Sequence, residues 1–275
     1  MDFIELLPFV TTQISVTTHN GTTGFGTGFF FAFEHQQETE EMSYAPLLIT
    51  NRHVVKDVAK MTITITRKDG DGPKIGDAMS LSFDNTECPI LLHPDPSVDL
   101  AAIMIGSIIQ QYTNSLFIPY FSVPDLPTEN ELRNINVMHD IIMIGYPDSI
   151  SDEVNHMPIF RKGITATRPD LNYDGKKTFL IDASCFPGSS GSPVLSYDNG
   201  IYQLETKDFT IGNQIKLIGI QSATFIHNST GNIVPIEIPT QIIPGITVQI
   251  PNNLGIVVRS TCILDFKPLL PLIPR

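Results

Sequence analysis

The stretch Phe186-Pro-Gly-Ser-Ser-Gly-Ser-Pro-Val194 decides how this chain is read. Two glycines flank a pair of serines, and a proline sits on each side. Gly188 and Gly191 open backbone conformations that residues with a Cβ rarely adopt, so the turn can be tight and its amides can converge. A serine at the tip of such a turn can serve as a nucleophile, because the neighbouring N–H groups can meet an oxyanion. The same cluster also fits an ordinary β-turn between two strands. The segments around it have to decide.

At 275 residues the chain can bury a sizeable core, as one large all-β domain or two small ones. Hydrophobic residues make up 41% and charged residues 17%, which is a folded composition, not a disordered one. The net charge of −12 argues against nucleic acid or an anionic membrane as partner, since either would repel it. Three cysteines, Cys88, Cys185 and Cys262, cannot all pair and none lies in a CxxC, so they read as free thiols in a reducing compartment. The opening MDFIELLPFV lacks the basic start and long apolar core of a signal peptide, and no run approaches a membrane span. The expectation is a soluble, cytoplasmic protein, with the sequons at Asn20 and Asn228 there by chance.

The 21 prolines and 19 glycines are spread along the chain, a pattern of many short strands joined by turns. Phe9 to Thr18 is rich in β-branched residues, and Gly26 to Phe31 starts a strongly apolar strand. GTTGFGTG lacks the GK[S/T] of a phosphate loop and is dismissed as one. Further strands are read at 47–51, 60–66, 79–83, 90–92 and 99–105, then at 141–147, 159–167, 178–183, 193–196, 216–225 and 254–259. Residues 260–266 read as the start of a terminal helix. The polar, proline-bearing 124–134 is the most linker-like stretch. Each side of it holds about six strands, which predicts an all-β protein of two six-stranded antiparallel β-barrels, residues 1–123 and 135–275, with a site between them. The charged loop Glu34–Tyr44 and the proline-punctuated Asn228–Asn253 are candidate surfaces for an activating protein partner, or else solvated loops.

A serine hydroxyl is a poor nucleophile at neutral pH and needs a base, and the base needs a group that fixes its tautomer. Of seven histidines, only His53 falls directly after a buried apolar strand and before a second apolar pair, in TNRHVV. An ordinary half-buried histidine would look the same. For the orienting acid, Asp99 precedes LAAIMI, where a carboxylate at a strand start needs a partner unless it sits at an exposed end. Asp95, between two prolines in a surface turn, is the weaker candidate.

Taken in order, LITNRHVV, DLAAI and FPGSSGSPV resemble the His, Asp and Ser segments of chymotrypsin-fold serine proteases, nearest to the bacterial HtrA-type and glutamyl-endopeptidase branches. GTGFFF resembles the glycine-rich strand before the histidine segment, and LIGIQSAT the strand that lines the first specificity pocket. The resemblance implies Ser190 as nucleophile, His53 as base and Asp99 as orienting acid. It implies an oxyanion hole from the N–H groups of Gly188 and Ser190, and a substrate pocket formed by Ser184, Cys185, Gln221, Ser222 and Ala223. Ser190 is preferred to Ser189 because the family places the nucleophile directly before the glycine.

The departures matter. Ser189 stands where digestive proteases carry an aspartate that pairs with a freed N-terminus, so no zymogen cleavage is expected. Ser192 replaces a commoner glycine, and no PDZ-like segment follows. Ser184 lies near the position of the acid in trypsin-like enzymes, and Gln221 near the histidine of glutamyl endopeptidases. Neither favours a basic or a Glu P1, which leaves a small or medium apolar one. Cys185 lacks a following glycine and reads as pocket wall or core. Without an HExxH or a Cys/His cluster, no metal or cofactor is expected. The leading expectation is an intracellular serine endopeptidase acting on protein or peptide substrates. The alternative is a latent or non-catalytic binding module of the same fold, needing a partner to order its oxyanion loop.

Overall fold

β1 (Thr11–Thr18) alternates as the sequence suggests, with Ile14 and Val16 turned inward, and a turn through Gly21 (φ +81°) returns it into β2 (Thr23–Gln36). β2 does not alternate: Phe29 to Phe33 are all buried, because the strand runs between two cores. Phe30 faces one core with Ile14 and Leu48, and Phe29, Phe31 and Phe33 face the other. A continuous apolar run is what a strand covered on both faces requires. The computed structural model describes residues 3–36, 42–203, 209–230 and 247–270. The middles of both expected partner surfaces, 37–41 and 231–246, lie outside the described residues.

Six more strands complete the first sheet: β3 (Met42–Thr50), β4 (Val58–Asp69), β5 (Gly72–Phe83), β6 (Ile90–Leu92), β7 (Ala101–Met104) and β8 (Phe121–Ser122). Their order is β5-β4-β1-β2-β3-β7-β6, with β8 laid parallel to β2 at Phe31 and Ala32. A closed barrel follows, β10-β11-β14-β13-β12-β9, from β9 (Asp140–Gly145), β10 (Ile159–Thr165), β11 (Thr178–Asp182), β12 (Pro193–Gln203), β13 (Phe209–Thr230) and β14 (Thr247–Arg259). Its interior is filled by Ile141, Met143, Phe179, Ile181, Val194, Ile218 and Val257.

The all-β reading and the second barrel are as expected, while the first sheet does not close through hydrogen bonds. Between β5 and β6 the chain folds on itself. Asp84 accepts from the amides of Thr86 and Glu87, and its carbonyl takes the Cys88 amide, so no ladder joins the two strands. The sheet instead curls until both ends reach one core, Leu81 and Phe83 from β5 and Ile90 from β6. The linker-like stretch holds a 3₁₀ turn at Val123–Asp125 and a short helix at Glu129–Asn134. Thr128 and Glu131 cap that helix reciprocally, and Leu126 and Leu132 are buried. The terminal helix is a 3₁₀ helix, Ser260–Leu269. Its Ile263 and Phe266 join Phe31, Ile49, Ile144, Leu195 and Leu217 in the core shared by sheet and barrel. No helix among the described residues is long and apolar enough to cross a membrane.

Candidate active site

His53 sits on a 3₁₀ turn, Arg52–Val55, directly after β3. Val54 and Val55 are buried and anchor it. Two neighbours clamp the turn from outside: Asn51 Nδ2 donates to the carbonyl of Asp99 at 2.8 Å, and Arg52 Nη2 to that of His93 at 3.0 Å. The imidazole itself stays half exposed (49%).

Asp99 lies between buried Val98 and Leu100, just ahead of β7. Its Oδ2 lies 2.7 Å from His53 Nδ1 and accepts from Ser222 Oγ at 2.7 Å, while its Oδ1 accepts from the His53 amide at 3.1 Å. Burial pushes this carboxyl up, but the bond and charge of His53, then Ser222 and the His53 amide, outweigh burial and hold it below its ordinary value. An ionised Asp99 only accepts, so the proton of a neutral His53 sits on Nδ1 and Nε2 is left with its lone pair. Asp95 is spent on its own turn, its Oδ1 taking both the amide and the hydroxyl of Ser97.

The serine turn leaves β11 and enters β12. Ser189 N donates to Phe186 O and Ser192 N to Ser189 O, each at 3.0 Å, so two tight turns meet at Ser189 and Ser190 follows in the second. Both glycines hold left-handed backbone, Gly188 at φ +83° and Gly191 at φ +88°. A Cβ on Gly188 would run into the carbonyl of Tyr146, and one on Gly191 into that of Thr27. Thr27, between Gly26 and Gly28 on β2, ties the first sheet to this turn. Its amide donates to Ser190 O at 2.8 Å, and its hydroxyl donates to Gly188 O and accepts from Tyr146 N. The Pro187 carbonyl takes the Asp148 amide at 2.6 Å. Among the described residues no hydrogen bond engages the amides of Gly188 or Ser190, which leaves both to donate elsewhere.

Ser190 Oγ donates to the carbonyl of Ser222 at 3.3 Å, and among the described residues no hydrogen bond joins it to His53. Ser222 thus touches both ends of the constellation, its hydroxyl on Asp99 and its carbonyl on Ser190. The sequence placed it only in the pocket. Of that pocket set, Ser184 and Ala223 are exposed. Cys185 is core beside Ala183 and Val257, and burial pushes its thiol up to about 11. Gln221 is also buried, donating from Nε2 to Ala223 O at 2.7 Å. The sequence reading also missed Thr27 and Arg161, although a threonine between two glycines in a strand hints at close backbone approach. Among the described residues no group of three or more His, Cys, Asp or Glu is placed to hold a metal ion.

Residues 26–201 match the family described as trypsin-like peptidase domain. The HtrA-type protease AlgW, solved with a tripeptide, is 15% identical, with 95% of this chain and 60% of that one covered and a TM-score of 0.52. The serine endoprotease from Yersinia pestis is 14% identical, with 95% and 62% covered and a TM-score of 0.49. The MamO protease domain from Magnetospirillum magneticum is 14% identical, with 98% and 100% covered and a TM-score of 0.49. The chain therefore spans under two thirds of the first two, and at such identities the likeness is one of fold. No curated protein matches the chain. With well over half of its length covered by the family match, the chain belongs to the trypsin-like peptidase domain family.

Proposed function

We propose that the chain is a serine endopeptidase working through a covalent acyl-enzyme, with Ser190 as nucleophile, His53 as general base and Asp99 as the acid that orients it. One observation carries this reading. Asp99 takes His53 Nδ1 and the Ser222 hydroxyl on the same oxygen, and the Ser222 carbonyl takes the Ser190 hydroxyl. Acid, base and hydroxyl are thereby gathered from segments far apart in sequence. In the reaction, the Ser190 hydroxyl turns from Ser222 O towards His53 Nε2, gives up its proton and bonds to the substrate carbonyl carbon. The amides of Gly188 and Ser190 receive the oxyanion, a contribution of about 3 kcal/mol for one donor. His53 returns the proton to the leaving amine, and water then releases the acyl group by the same path reversed.

The substrate is a protein or peptide. The exposed pocket residues, Ser184 and Ala223, are small and uncharged, which supports a small or medium apolar P1. Three buried, unpaired cysteines support work in a reducing, intracellular setting. A second reading, a protease that stays latent until a partner or substrate acts, is favoured by the Ser190 hydroxyl resting on Ser222 and not on His53.

A fluorophosphonate probe tests both readings. Labelling of the isolated chain that is lost in Ser190→Ala and in His53→Ala supports the active enzyme. Labelling only after peptide or partner is added supports latency, and no labelling under any condition refutes both.

A further inference from the structure

Arg161 on β10 carries a guanidinium with no carboxylate in ion-pair range among the described residues. Burial pushes its pKa down, against the pull of Cys185 and Asp148. A cation partly withdrawn from water without a counter-charge is costly, and neutral acceptors are all that hold it. Those acceptors lie just before the serine turns and at the residue the two turns share. Nη1 donates to the carbonyl of Ser184, and Nη2 donates to Ser189 Oγ at 3.0 Å. Ser189 is itself buried, and its Oγ also accepts from the Phe186 amide at 3.3 Å. One planar fork therefore grips the chain just before the two turns and at their shared residue, between the amides of Gly188 and Ser190 that stand unpaired among the described residues.

We propose that Arg161 is a positioning residue that holds residues 184–190 in the shape the oxyanion site requires. Resting on the serine-peptidase reading of this site, the proposal gives the residue next to the nucleophile an internal partner from a neighbouring strand. That partner does the task that a freed N-terminus performs for digestive proteases. Its consequence is a site whose order depends on a guanidinium already in the fold, with no cleavage needed to supply the cation. Lysine is a poor substitute, because its ammonium is a point charge without the planar two-nitrogen fork that addresses both acceptors here.

The test compares wild type, Arg161→Ala, Arg161→Lys and Ser189→Ala by fluorophosphonate labelling rate, thermal melting and hydrogen exchange of residues 184–191. Arg161→Ala is expected to label about 100-fold more slowly, the scale of losing one oxyanion donor. Millimolar guanidinium ion should restore its rate in a saturable way, which a merely structural loss would not allow. Arg161→Lys should remain slow, Ser189→Ala should slow in the same direction, and exchange of 184–191 should quicken in Arg161→Ala. Wild-type labelling rates in both Arg161→Ala and Ser189→Ala overturn the proposal. Should Arg161→Ala fail to fold, a wild-type rate in Ser189→Ala overturns it alone. Should wild type not label under any condition, the peptidase reading fails, and unchanged exchange of 184–191 in Arg161→Ala then separately refutes the grip.

Discussion

Ser222 donates its hydroxyl to Oδ2 of Asp99 at 2.7 Å, across 123 residues of chain. The acid is held from two sides, by the ring of His53 and by this hydroxyl, so it cannot swing away from the ring without breaking a charge-assisted bond. Removing the hydroxyl in Ser222→Ala is expected to cost about 1.5 kcal/mol of that support, roughly a tenfold slower fluorophosphonate labelling. The melting temperature should stay close to wild type, and a labelling rate that does not change would dismiss the bond as idle.

Asp99→Asn tests the tautomer. An amide at this position can donate to Nδ1, which moves the ring proton to Nε2 and removes the base. Labelling should fall by about four orders of magnitude while the fold persists.

Asp99 also links acidity to stability. Its folded-state pKa lies below its ordinary value, so the unfolded chain takes up the proton first as pH falls. The contribution is fully present above the ordinary carboxylate range and is lost as pH drops through the lowered folded value. Urea unfolding of wild type and Asp99→Asn should therefore differ most at neutral pH, begin to converge near about pH 4 and meet only beneath the lowered folded value. A gap that widens on acidification would reverse the sign argued here.

Gly191→Ala should be severe. The residue holds φ +88°, and a Cβ would collide with the Thr27 carbonyl, which is backbone and cannot step aside cheaply. A loss of about 3 kcal/mol is expected in urea titration. Gly70→Ala, at φ +58° with open space around it, should cost only about 1 kcal/mol.

Cys88, Cys185 and Cys262 are buried, and burial pushes each thiol up to about 11. Thiolate is the reacting form, so iodoacetamide at pH 7.5 should leave the native chain unmodified and add three groups once it is denatured. Rapid native alkylation of Cys185 would revive it as a chemical group.

The segments carrying His53, Asp99 and Ser190 were legible because each is a short contiguous signal: a polar residue beside a buried run, or glycines around a serine. The barrel was legible from strand spacing. The orientation of Ser222 was not. β13 shifts register between Gln221 and Ala223, so alternation along the strand cannot say which way the residue between them points. The open edge between β5 and β6 depends on how Asp84 caps its own turn, a local choice that composition does not reveal. The helix in 124–134 could have been read, since Thr128 and Glu131 are spaced as a capping box, but proline and charge there suggested a linker. Nothing in the sequence around Arg161 sets it apart, because its acceptors come from a loop folded against it later in the chain.

Thr27 has a bearing on how the protein is made. It grips Gly188 and Ser190 from 161 and 163 positions away, so β2 must wait for the far end of the barrel before that seam can form. Residues as far as Ser190 have to be made and folded against β2 before the serine acquires its surroundings. Until that seam closes, the segment around Ser190 lacks the backbone partners that fix its shape.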